Sequence, residues 1–164
     1  MASEEKNQSN IINSELNLNY NKYLFADKPI NRFKTKPKVE DISTKLDELR
    51  NEIEKIENCE LKKNASKIVF SDGDNRSKIM IVGEGPGQKE DQEGKPFVGD
   101  AGLLLNKMLK SINIERKNVY ITNVVNYRPP NNRKPEPAEI TKYSNFLRKH
   151  ISIIDPKILI LMGS

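Results

Sequence analysis

Glu84 stands one glycine beyond a largely apolar run at residues 78–82, where a β-type segment gives way to a glycine-rich loop. A carboxylate in that place can orient a water molecule or stabilise a cation that develops as a bond breaks. Gly85, Pro86 and Gly87 beside it are small or stiff, so a ligand can approach the backbone closely. Glu90 and Asp91 follow six residues on, and Phe97 stands between Pro96 and Val98, just before Gly99. A phenyl ring in such a loop is either a stacking wall for a flat ligand or an anchor in the core.

The whole stretch 83–102 holds six glycines, two prolines and five acidic residues in twenty positions. Its acids make it a poor phosphate cradle. Gln88 stands where a dinucleotide loop needs its third glycine, and Glu84 would face a pyrophosphate with like charge. No phosphate-binding G-x-x-x-x-G-K-[ST] loop occurs. The residues therefore argue against a nucleotide cofactor.

Asn123 lies near the end of a second apolar run, 119–125. Its carboxamide carries both a donor and an acceptor, and buried among Val and Ile it would be costly without partners. It could pair with O4 and N3–H of a uracil ring, and cytosine, with both polarities reversed, would be rejected. The other reading is a strand-end Asn that bonds the following turn. Arg128, Asn132 and Arg133 lie in a basic loop stiffened by Pro129 and Pro130. They suit phosphate contact at the mouth of a site, or form a surface loop.

Positioning these residues requires strands that end together. Residues 78–82, 119–125 and 157–162 read as three central strands, and 67–70 as a further short strand before a turn at 71–75. Apolar residues at 42, 46, 49, 53 and 56 mark one face of a helix docked on the domain. A second helix over 103–112 carries the stripe Ala101, Leu104, Leu105, Met108 and Ile112. A third over 140–154 carries 140, 143, 147, 150/151 and 154, with Pro137 in its first turn. Strand–helix alternation of this kind predicts an α/β fold, three αβα layers around a central parallel sheet. Site residues then gather at the carboxyl ends of the strands.

Composition bounds the rest. Residues 1–40 are rich in Asn, Ser, Lys and Glu, and read as a disordered polar tail ahead of one domain, 41–164. A net charge of +5 favours a polyanionic partner or a Lys-rich surface. No signal peptide and no membrane-spanning run is present, so a soluble, intracellular chain is expected. The one cysteine, Cys59, cannot close an internal disulfide or hold a cysteine-ligated metal alone. His150, the one histidine, reads as a helix-face residue. The last strand ends where a loop and covering helix would follow, so a C-terminal part is expected to be missing.

At this point the motifs are recognisable. Residues 83–102 closely resemble the first motif of the family-4 uracil-DNA glycosylases, GE[AG]PGxxEDxxGxPFVGxAG, at every fixed position. Residues 122–125 and 128–133 resemble that family as well, and the resemblance covers about residues 56–164. It implies hydrolysis of the N1–C1′ bond of deoxyuridine in DNA, with the base flipped out of the stack, uracil released and an abasic site left. By that resemblance Glu84 positions water and supports the sugar cation, Phe97 stacks on the flipped uracil and Asn123 reads it. Gly85, Pro86, Gly87 and Glu90 line the pocket, and Arg128, Asn132 and Arg133 touch DNA. The implied setting is a monomer on uracil-containing DNA, in the cytoplasm at the nucleoid.

Two departures qualify the resemblance. The family typically holds a [4Fe–4S] cluster on four cysteines, but here Cys59 has Ile56, Tyr127 and Tyr143 at the other three positions. Isoleucine offers no thiolate, so no cluster, no other metal and no cofactor is expected, with the tyrosines filling the volume. The family's second motif also carries a His near uracil O2 and a loop that wedges into the duplex. Neither stands in residues 1–164, which implies at most residual activity, or a relative that binds uracil-containing or single-stranded DNA without turnover. Covalent capture of DNA, which a related branch performs through a loop His, is not expected, since no His lies between residues 83 and 133.

Overall fold

In chain order the elements are helix α1 (Ile42–Glu54), helix α2 (Glu60–Asn64), strand β1 (Asp72–Gly73), strand β2 (Ile79–Gly83) and helix α3 (Gln88–Glu93). Helix α4 (Asp100–Ser111), strand β3 (Tyr120–Asn123), helix α5 (Pro137–Ile154) and strand β4 (Ile158–Met162) follow, with 3-10 turns at Arg116–Asn118 and Pro130–Asn132. This computed structural model describes residues 41–163, so the polar tail read over residues 1–40 lies outside the described residues.

The sheet runs β1-β3-β2-β4. β2 pairs in parallel with both β3 and β4, and only the two-residue β1 runs antiparallel. Side chains alternate across it as strand geometry demands. Met80, Val82 and Tyr120 point to one face, where Leu46, Leu49 and Ile53 of α1 and Tyr143 and Ile154 of α5 complete a core. Ile81 and Ile121 point to the other, where Leu105 and Leu109 of α4 cover them. The expected αβα layering is thus present. Each fully buried Leu or Ile in these layers contributes roughly 1.5–3 kcal/mol.

Local chemistry sets the helix ends. Gly87 precedes α3 and Gly94 stops it with a left-handed φ of 75°. Pro137 opens α5, whose N-terminus is closed by reciprocal bonds between Glu136 and Glu139. Among the described residues no helix is long and apolar enough to cross a membrane.

Several sequence expectations are corrected. Residues 67–70 are not a strand; the segment is held instead by Val69 N–H to Asn126 O at 2.8 Å and Thr122 Oγ1–H to Phe70 O at 2.7 Å. The expected turn at 71–75 contributes the edge strand β1. The supposed loop 83–102 contains α3. On α4 the buried residues are Gly102, Leu105 and Leu109, whereas Leu104, Met108 and Ile112 of the expected stripe are exposed, Ile112 at 62%. Among the described residues β4, expected as a central strand, lies at the end of the strand order, and Leu161 on it is 70% exposed.

Candidate active site

β2 and β3 end level with each other. Gly83 is the register partner of Asn123, and the pairing continues past both strands through Val124 N–H to Gly83 O at 2.8 Å and Val125 N–H to Glu84 O at 3.2 Å. Glu84 is thereby carried to the carboxyl edge of the sheet beside Asn123. A cavity of about 410 Å³ opens there, lined by Glu84, Gly85, Gly87, Glu90, Phe97, Asn123 and the end of β4.

Three functional groups face this cavity. Glu84 is half-buried, and its carboxylate has no hydrogen-bond or ion-pair partner among the described residues. Asn123 is 3% exposed, and its Nδ2 is the one buried side-chain nitrogen or oxygen among the described residues that lacks a partner. Leaving such a group unpaired costs roughly 1–3 kcal/mol, which a ligand acceptor would recover. The Phe97 ring comes down over Gly83: a Cβ built on Gly83 would stand 2.7 Å from the ring and 2.4 Å from Asn123 Oδ1. Ring and amide share the space that the missing side chain leaves free.

Phe97 occupies this place under strain. Its φ is +52°, a left-handed conformation that costs a non-glycine residue roughly 1–2 kcal/mol. Its carbonyl presses on the first turn of α4, where a Cβ on Gly102 would fall 1.9 Å from it. Glu90 secures the next two residues, its Oε1 accepting Val98 N–H at 3.0 Å and Gly99 N–H at 2.8 Å. Glu90 therefore lines the cavity as expected, with its carboxylate committed to the loop backbone. Asp91, its neighbour, is buried and accepts Ser66 N–H at 2.8 Å. Arg116 was invisible to sequence reasoning, since its partners Pro96 O and Phe97 O are main-chain atoms.

The basic loop stands beside the same edge. A smaller cleft of about 160 Å³ is lined by Glu84, Pro86, Asn132 and Arg133. Asn131 and Asn132 both take left-handed φ of 55°, which Asn tolerates. Arg128 Nε–H donates to Asn132 Oδ1 at 2.7 Å. Arg133 forms a two-pronged pair with Glu139, 2.8 and 2.7 Å, which holds the Glu139 carboxyl below its ordinary pKa and ties the loop to α5. His150 is far from this chemistry in role: it is buried, with Nε2 2.8 Å from Tyr120 Oη and its ring against Phe70.

Comparison with known proteins decides the family. The sequence model of the Uracil DNA glycosylase superfamily matches residues 70–164. The chain belongs to the uracil-DNA glycosylase superfamily. It is 47% identical over 119 residues to the type-4 uracil-DNA glycosylase of Sulfurisphaera tokodaii, covering 72% of this chain and 54% of that one. To the type-4 enzyme of Archaeoglobus fulgidus it is 43% identical over 118 residues, 72% of this chain and 59% of the relative. To that of Thermotoga maritima it is 44% identical over 112 residues, 68% and 58%. The chain thus spans little more than half the length of these relatives.

The four positions at which the family-4 resemblance implies iron–sulfur ligands, 56, 59, 127 and 143, hold one cysteine and three side chains of a different kind. Cys59 Sγ lies 3.2 Å from Tyr143 Oη, and both are buried. Tyr127 is buried as well, and Ile56 packs against the same core. Burial is the main cause that pushes the Tyr127 phenol up to about 12 and Tyr143 higher still, so both stay protonated at neutral pH. One thiol, two neutral phenols and an aliphatic side chain do not suit a cluster that needs four thiolates.

Proposed function

We propose that the chain forms the base-reading and hydrolytic part of a uracil-DNA glycosylase. The carrying observation is the unpartnered Nδ2 of Asn123, buried at a cavity edge beside an aromatic ring and a free carboxylate. Uracil accepts at O4 and donates from N3–H, so one amide satisfies both of its edges. Cytosine presents a donor at C4 and an acceptor at N3, and would leave two buried groups opposed. Phe97 stacks on the flat ring, worth roughly 1–3 kcal/mol for one base on one aromatic.

The reaction that follows is hydrolysis. The N1–C1′ bond breaks with its electron pair leaving on uracil N1, and the sugar gains oxocarbenium character. Glu84 stabilises that charge and orients the water whose oxygen bonds to C1′. The two water protons end on the abasic sugar hydroxyl and on uracil. The basic loop at residues 128–134 takes the flanking phosphates, and a net charge of +5 brings the chain to DNA. The reaction needs no cofactor, and we place the chain without an iron–sulfur cluster. One pocket serves one flipped base, so a single chain acting at the nucleoid in the cytoplasm suffices.

The test is an oligonucleotide carrying one deoxyuridine, incubated with the chain or with Glu84→Gln and then treated with alkali. Weak strand cleavage at that position, lost with Glu84→Gln, is the expected result. Uracil-specific binding without cleavage would instead identify a non-catalytic binder. Absence of both would overturn the reading.

A further inference from the structure

We infer that Arg116 is the positioning residue that sets the Phe97 ring over the base, acting through the main chain of Pro96 and Phe97. This rests on the reading of Phe97 as the stacking ring.

Arg116 does not line the cavity, yet every branch of its guanidinium is engaged. Nη2 donates to Pro96 O at 2.7 Å and Nη1 to Phe97 O at 2.8 Å. Nη1 also reaches Asn106 Oδ1 of α4 at 3.2 Å, and Nε donates to Asp72 Oδ2 of β1 at 2.8 Å. A planar fork with five donors can hold two successive carbonyls and a carboxylate at once, which an ammonium cannot do with the same geometry. The side chains of Arg116 and Asp72 are 22% and 27% exposed, so water screens their pair only in part.

The bonds fall where strain has to be held. Residue 97 is the left-handed one, and its own carbonyl and the one before it are both taken by Arg116. The two amides that follow it are taken by Glu90. A cation on one side and an anion on the other thus pin four consecutive residues, 96–99, around the ring. Arg116 also opens the 3-10 turn Arg116–Asn118 that leads into β3. The strand that presents Asn123 and the loop that presents Phe97 are therefore fastened to each other by one side chain, and ring and amide are set in mutual register.

The test uses the full 164-residue chain in a Glu84→Gln background, so that substrate persists. Two readouts are taken: hydrogen exchange at the Val98 and Gly99 amides, and affinity for oligonucleotides carrying uracil, thymine or an abasic site. Arg116→Met is expected to speed exchange at both amides while amides of β2 and α1 keep their protection. It is also expected to weaken uracil binding about tenfold, the size of one base–aromatic stack, with abasic-site affinity unchanged. Arg116→Lys should not restore the loss. Arg116→Met added to Phe97→Ala should cost nothing further, since both remove the same stack. Asp72→Asn, which weakens one branch only, gives the milder form of the same pattern should Arg116→Met fold poorly. Unchanged exchange at 98 and 99, additive losses with Phe97→Ala, or equal losses on abasic DNA would overturn the clamp. If the parent chain does not prefer uracil to thymine, the functional reading fails instead, and exchange at the two amides decides the clamp by itself.

Discussion

Gly83 and Asn123 are partners across the parallel β2–β3 ladder, and a methyl group on Gly83 would stand 2.4 Å from Asn123 Oδ1. Gly83→Ala must therefore push the amide and the Phe97 ring aside together. Displacements of about 1 Å at a reacting centre cost about 10²-fold, and that is the loss expected in uracil release. Thermal melting should fall only slightly, which separates displacement of the site from unfolding.

Asn123→Leu should make the chain more stable while abolishing excision. The substitution removes the buried, unpartnered Nδ2 and replaces it with an apolar group of similar size. An unsatisfied buried donor costs roughly 1–3 kcal/mol, so urea midpoints should rise by the equivalent of about 1 kcal/mol. A loss of stability would mean that Asn123 serves the fold rather than a ligand.

Acid should weaken the fold through His150. Burial lowers its pKa from 6.5 to about 4. Above pH 6.5 the ring is neutral in both folded and unfolded chains, and the full stability is present. As pH falls from 6.5 towards 4, the unfolded chain takes up a proton that the folded chain refuses, and stability is lost. The loss amounts to about 3 kcal/mol. Urea melts at pH 7 and pH 4.5 measure it, and His150→Gln should flatten that part of the pH dependence.

Purified chain should be colourless and free of iron, because Cys59 is the one thiol at the four cluster positions. Chelators should leave its melting temperature unchanged. Tyr143→Phe removes the hydrogen bond to Cys59 and should cost about 1 kcal/mol, while Tyr143→Ala opens a cavity in the core and should cost about 3–5 kcal/mol. Urea denaturation of both variants gives the comparison. Iron in stoichiometric amount would contradict the reading of these residues.

The site was legible where chemistry depends on side-chain type. Glu84 and Asn123 could be placed at strand ends because apolar runs precede them, and Phe97 in the loop beside them because glycines flank it. Arg116 was not, because main-chain carbonyls leave no mark in a sequence. Helix α4 misled for a different reason. Apolar residues surround it on more than one face, and the buried face was chosen by Gly102, whose missing side chain lets the helix rest on the Phe97 carbonyl. Residues 67–70 look like a strand since Ile68, Val69 and Phe70 are buried and apolar, yet Thr122 of β3 and Asn126 after it take their bonds.

β4 has a consequence of its own. Among the described residues Ile158, Leu159, Ile160 and Leu161 run without a charge or a proline along the last strand of the sheet, and all four are exposed. Open edges with this composition are templates for further strands, and short aliphatic segments of this kind stack into cross-β fibrils. Concentrated chain should accordingly seed fibril growth from residues 158–162, with a lag that shortens on adding preformed seeds. Ile160→Lys, a charge in the middle of the edge, should suppress it while the groups around Asn123 remain in place.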